Sequence, residues 1–159
     1  MDVLKQIEQW IDATNIKHKN QRISCEKFSR EFGGFYPIEF LKNAFYVVVD
    51  KIPKPDFPAL REMGLGDFVD MDAAGITYKN TYYMLPHVAE NLRVHFHELV
   101  HVAQWHELGA DAFMLRYITE IQHVGYNDAQ LEKMAYDLDE HFVNNGDKID
   151  VPKHVAQTL

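Results

Sequence analysis

The chain has 159 residues, with apolar side chains at 47% and a net charge of −8. That length and apolar content predict one domain, residues 1–159, with a core of its own. The acidic balance, with Lys17–Arg22 as the only basic cluster, argues against nucleic acid as a partner. A single cysteine, Cys25, rules out an internal disulfide and is compatible with a reducing compartment.

In chain order, Asp2–Thr14 reads as an amphipathic helix carrying Val3, Leu4, Ile7, Trp10 and Ile11 at helical spacing. Ser24 is placed to cap a second helix ending near Gly33-Gly34, with Cys25, Phe28 and Phe32 on its apolar stripe. Cys25 is therefore expected in the core, not as a nucleophile. Pro37–Asn43 predicts a third helix and Phe45–Val49 a strand. Ile52–Pro58 is a rigid, proline-rich connector, followed by a turn of helix and loop over Leu60–Phe68. Gly75–Leu85 predicts a hairpin turning at Lys79-Asn80 and ended by Pro86. Asn91–Glu107 holds no Pro or Gly and is apolar nearly all round, the pattern of a buried helix. Two helices follow, Asp111–Val124 and Asp128–Phe142, the second capped by Asn127 or Asp128. The tail to Leu159 shows no periodic pattern and is expected to pack late or fray. There is no signal-peptide pattern and no run long enough to span a membrane, so a cytoplasmic protein with no membrane partner is the default expectation.

Within the buried helix lies His97-Glu98-Leu99-Val100-His101, an HExxH motif. Residues four apart share a helix face, so both imidazoles can hold one ion from the same side while Glu98 reaches a water beside it. Three ionisable groups on one face of a buried helix are costly unless something pairs with them. Two imidazoles and a carboxylate suit Zn2+, although other divalent ions bind such a set. His95, two residues before His97, points to another face and reads as structural.

A third ligand is needed. A His six residues after His101 is absent, the position being Glu107, and no Gly occupies position 104. Glu120 and Glu132 remain as the candidates. Glu120 has Arg116 four residues before it as an ion-pair partner, whereas Glu132 has no basic residue at helical spacing, so Glu132 is preferred. For the developing oxyanion, Tyr117, His123, Tyr126 and His141 are the available donors, with Tyr126 and His123 chosen because His123–Tyr126 reads as a loop able to reach over the ion.

HExxH at His97–His101 followed by Glu132-Lys133-Met134-Ala135 resembles the gluzincin arrangement, HExxH then ExxA on a later helix. Spacing and size are most similar to the minigluzincins and related short bacterial zincin-like proteins, over about Gly75 to Phe142. The resemblance implies an α+β, zincin-like fold: a small, mainly antiparallel sheet packed on the HExxH helix, with helices following. It implies His97, His101 and Glu132 as zinc ligands, Glu98 as general base, and a peptide or protein substrate. It further implies that the strand before the HExxH helix is a sheet edge able to bind an extended peptide. One position departs from the pattern. Many gluzincins carry Asp four residues after the ligand Glu, and here that residue is Tyr136. Asp137 and Asp139 are assigned to other faces, so another carboxylate must serve or the support of the ligand His is weaker. The expected function is a zinc metallopeptidase; the alternative is a zinc-binding interaction module on the same scaffold without turnover.

Overall fold

The computed structural model describes residues 2–159. Among them, eight α-helices surround a four-stranded mixed sheet, an α+β arrangement. Helix α1 (Val3–Lys17) starts at Asp2, whose side chain accepts from Lys5 N. Strand β1 (Ile23–Ser24) is short. The predicted second helix is only a 3-10 segment, Cys25–Phe28, continued by turns. Ser24 does cap it, accepting from Glu26 N at 3.2 Å. Helix α2 (Ile38–Lys42) and strand β2 (Phe45–Val48) follow as expected.

Residues 53–73 form a cover containing two short helices, α3 (Pro58–Glu62) and α4 (Gly66–Asp70). It is tied to itself: Lys54 Nζ donates to the carbonyls of Phe68 and Met71, and Arg61 bridges Asp56 at 3.0 Å and Asp70 at 2.7 Å. The hairpin is β3 (Gly75–Tyr78) and β4 (Thr81–Met84), with Lys79 at φ 61° in its turn.

The sheet order is β1-β2-β4-β3. β2 runs parallel to β4, with Tyr46 opposite Tyr82, and the other two pairings are antiparallel. β4, the strand before the HExxH helix, is therefore interior, which corrects the expectation of an edge there. Its four residues are all buried because neighbours flank it on both sides and side chains cover both faces. Tyr82 and Met84 join a core cluster with Phe28, Phe32 and Phe96, and Tyr83 joins a second with Ile7, Ile11 and Trp105, the two-residue alternation of a strand. The edge beside the motif is β3.

Helix α5 (Leu92–Leu108) carries the motif. Asn91 caps it by accepting from Arg93 N, and every residue from His95 to Trp105 is buried. α5 touches β3, β4 and three later helices: α6 (Ala110–Val124), α7 (Gln130–Val143) and α8 (Val151–Thr158). His95 is structural, its Nδ1 2.6 Å from Tyr82 Oη and its Nε2 2.8 Å from Ala89 O.

Two expectations fail at helix ends. α7 begins after Ala129, which offers no capping side chain; instead Glu120 on α6 accepts from Leu131 N at 2.9 Å. A carboxylate at a helix N-terminus satisfies an orphan donor and the local dipole together. The C-terminal tail is a helix. Asp150 caps it through Lys153 N, Val151 N donates to Phe35 O, and Val151 and Val155 are fully buried, four residues apart on one face. No helix of the described residues is long and apolar enough to cross a membrane.

Candidate metal centre

α5 and α7 lie side by side and bring His97, His101 and Glu132 together, one ligand atom from each lying within 4.8 Å of the others. Glu132 Oε1 is 3.1 Å from His97 Nε2 and 3.2 Å from His101 Nε2. All three residues are buried.

The far nitrogen of each ring is already committed. His97 Nδ1 is 2.8 Å from Asp139 Oδ2, and a carboxylate only accepts, so Nδ1 carries the proton. His101 Nδ1 is 2.7 Å from Gln104 Oε1. Gln104 Nε2 donates to Leu131 O at 3.0 Å, which fixes the amide and makes Oε1 the acceptor. Both Nε2 atoms are thereby the nitrogens left to ligate, the arrangement in which partners behind a His set its tautomer and ring orientation. A His2Glu donor set with both imidazoles oriented fits a zinc-type ion.

Asp139 is the residue the sequence reading assigned to another face. Seven residues after Glu132 is two turns less about 20°, so both carboxylates point from α7 toward α5. Arg93 reaches in from the surface and donates to Asp139 Oδ1 at 2.8 Å. Tyr136, at the departing position, sets its ring 4.4 Å from that of His97.

Tyr117 on α6 donates to Glu132 Oε2 at 2.5 Å, leaving Oε1 for the two imidazoles. Its polar tip projecting from an apolar stripe was visible in the sequence; its target on another helix was not. Glu120 is not among the three grouped residues and divides its carboxylate between Arg116 and Leu131 N.

Glu98 is buried, on the lining of the cleft. Thr77 Oγ1 donates to its Oε1 at 3.1 Å, while Oε2 faces the cluster at 4.0 Å from His97 Nε2. Thr77 comes from β3, and Gly75 two residues earlier lets that strand approach: a Cβ there would stand 3.3 Å from Glu98 Cδ and 3.4 Å from Tyr83 O. Neither Thr77 nor Gly75 was singled out from the sequence.

Charge inside the cluster is balanced by proton placement. Burial raises the Glu98 pKa, partly offset by the two imidazoles. Burial would lower that of His97, but its bonds to Asp139 and Glu132 push it up to about 10. Burial would likewise raise Glu132, yet His101 and His97 hold it well below the usual carboxylate range. The neighbouring carboxylates push His101 up as well, against the effect of its burial.

Of the two oxyanion donors chosen from sequence, the structure brings one to the site. Tyr126 lines the same cleft as Glu98, His101 and Glu132, and burial foremost keeps its phenol protonated. His123 is exposed and turned to Thr119 O of its own helix, because α6 runs on to Val124 and leaves no loop at that point. His141 bonds Asp147 O at the far end of α7.

Comparison of the chain with family models, curated proteins and solved structures finds no match.

Proposed function

We propose that this protein is a zinc-dependent metallopeptidase of the gluzincin kind on a zincin-like fold, with His97, His101 and Glu132 holding the ion and Glu98 as general base. The observation that carries this reading is the convergence of two tautomer-fixed Nε2 atoms and one carboxylate oxygen beside a second, buried carboxylate. A bound zinc ion supplies Lewis acidity, bringing water to a pKa of about 7 and polarising a carbonyl.

The chain's own residues supply the rest. Thr77 occupies Glu98 Oε1, which leaves Oε2 to take the proton of the attacking water. Burial makes Glu98 a stronger base than a solvated carboxylate and suits it to pass that proton to the leaving nitrogen. Tyr126, protonated in the same cleft, donates to the carbonyl oxygen as it gains charge. The missing Asp at position 136 leans toward a metal-holding module without turnover; the contact of Asp139 with His97 Nδ1 supports the hydrolase reading instead.

The test is elemental analysis on wild type, Glu132→Ala and Glu120→Ala, followed by a peptide-library cleavage screen with Glu98→Gln as control. About one zinc per wild-type chain, lost in Glu132→Ala alone, is expected. Chelator-sensitive cleavage is expected in wild type, with Glu98→Gln keeping its zinc and losing turnover by about 10²- to 10⁴-fold. Unchanged turnover in Glu98→Gln would sink the mechanism, and metal-free wild-type protein would sink the site.

A further inference from the structure

Tyr126 reaches the cleft from a turn, not from a helix. It opens the turn at residues 126–128 between α6 and α7, next to Gly125 at φ 80°. Gly125, Asn127 and Asp128 are all exposed. A group on a loop is held less precisely than one on a helix. An oxyanion donor works only when its proton is aimed at the oxygen that gains charge, so imprecision there is costly.

Tyr136 stands on a rigid element beside it. It lies on α7 one turn after Glu132, in the stripe Glu132, Tyr136 and Asp139 that meets α5. Its ring centroid is 4.4 Å from that of His97, with the two planes tilted by 54°. The phenols of Tyr136 and Tyr126 interact by a side-chain hydrogen bond. Asp139 holds Nδ1 of His97, so position 136 is released from that task. Covering His97 takes only a ring. The hydroxyl of Tyr136 is an addition to that ring, and its partner is the one donor that the sequence reading and the cleft share.

Resting on the hydrolase reading above, we propose that Tyr136 is the positioning residue of Tyr126, its ring seated on His97 and its hydroxyl holding that of Tyr126 toward the substrate carbonyl. Each phenol has one proton to donate. A carbonyl oxygen only accepts, so once Tyr126 donates to it, the bond between the phenols runs one way, from Tyr136 to Tyr126 Oη. That second bond polarises Tyr126 and strengthens its own donation. Neither phenol gives up its proton.

The experiment compares Tyr136→Phe, Tyr126→Phe and the double variant, because Phe keeps the ring on His97 and deletes only the hydroxyl. The first readout is fluorine NMR of metal-free protein labelled with fluorotyrosine, the Tyr126 line being the one that Tyr126→Phe removes. The second is steady-state kinetics of zinc-loaded protein on the peptide selected by the cleavage screen. In Tyr136→Phe the Tyr126 line is expected to move, with zinc affinity and thermal midpoint as in wild type. Its kcat is expected to fall about tenfold, the worth of one hydrogen bond, with KM unchanged. The double variant is expected to be no slower than Tyr126→Phe alone, since Tyr136 acts through Tyr126. An unmoved Tyr126 line, or losses that multiply in the double variant, would overturn the role. So would a fall in zinc affinity in Tyr136→Phe, which would make the hydroxyl a support of the metal ligands. The two readings fail separately. A moved line in a protein without turnover drops the hydrolase and keeps the phenol pair, whereas turnover indifferent to Tyr136→Phe drops the positioning role and keeps the hydrolase.

Discussion

Asp139 Oδ2 lies 2.8 Å from His97 Nδ1, linking a residue two turns beyond Glu132 to the first histidine of the motif. The same helix thus provides both a ligand and the group that orients another ligand. Asp139 is almost wholly buried, so its charge is compensated by His97 and Arg93 and not by solvent. Asp139→Ala is expected to weaken metal binding by about 10- to 100-fold, read by competition with a chromophoric chelator. Affinity equal to wild type would mean that His97 needs no partner behind it.

Tyr117 and Tyr126 reach the same cleft but serve different atoms. Tyr117 holds Glu132 Oε2, so Tyr117→Phe is expected to act on the metal, lowering affinity about tenfold. Tyr126→Phe is expected to leave metal content intact and lower kcat by about 10²-fold, with KM little changed. An inverted pattern, with metal lost in Tyr126→Phe and kept in Tyr117→Phe, would exchange the two roles.

The metal-free protein has a pH dependence whose direction follows from the cluster. His97 is raised from its ordinary 6.5 to about 10, despite burial, by Asp139 and Glu132. Its stabilisation is fully present below about 6.5 and is lost as the pH climbs through about 10. Glu132 is depressed from 4.5, so its contribution is present above that value and is lost as the pH falls toward its much lower folded pKa. Chelator-treated protein should therefore be most resistant to urea between about 4.5 and 6.5, and less resistant as the pH approaches 10. A midpoint that rises from pH 7 to pH 10 would contradict this placement of charge. Metal affinity should run the other way and fall on acidification, because a ligating Nε2 must give up its proton.

Glu120 supports α7 from the neighbouring helix α6. Glu120→Ala is expected to leave about one metal per chain and to lower unfolding free energy by about 1 kcal/mol, the usual worth of a helix cap. Loss of the metal in this variant with the fold intact would make Glu120 a ligand.

The motif helix was legible because its signal is local: a long stretch without Pro or Gly, apolar round its circumference, with two His four apart. Glu132 was legible by exclusion, since no cation at helical spacing accounts for it. Other features depend on contacts between segments. Glu120 caps a helix that begins ten residues further on, and no local pattern announces a cap borrowed from a neighbour. Asp139 was set aside because position 136, four residues after Glu132, was the place expected for such an Asp, whereas the two-turn spacing to 139 also returns to the face that meets His97. The last helix was missed because its buried stripe is only Val151 and Val155, too few to define a period, although Asp150 and Pro152 mark its start. The interior position of β4 depends on its parallel pairing with β2, separated from it in sequence by the whole cover.

Gln104 is one turn past His101, yet its amide is oriented by Leu131 O, a carbonyl of the neighbouring helix. Likewise, His97 is oriented by Asp139 of that neighbour. Excised as a peptide, residues 91–108 would retain every letter of HExxH but neither anchor, and each imidazole would be free to present either nitrogen. The motif is thus not a portable chelator. Its selectivity for one ring edge belongs to the tertiary structure and should disappear once α7 separates from α5, even while α5 itself remains helical.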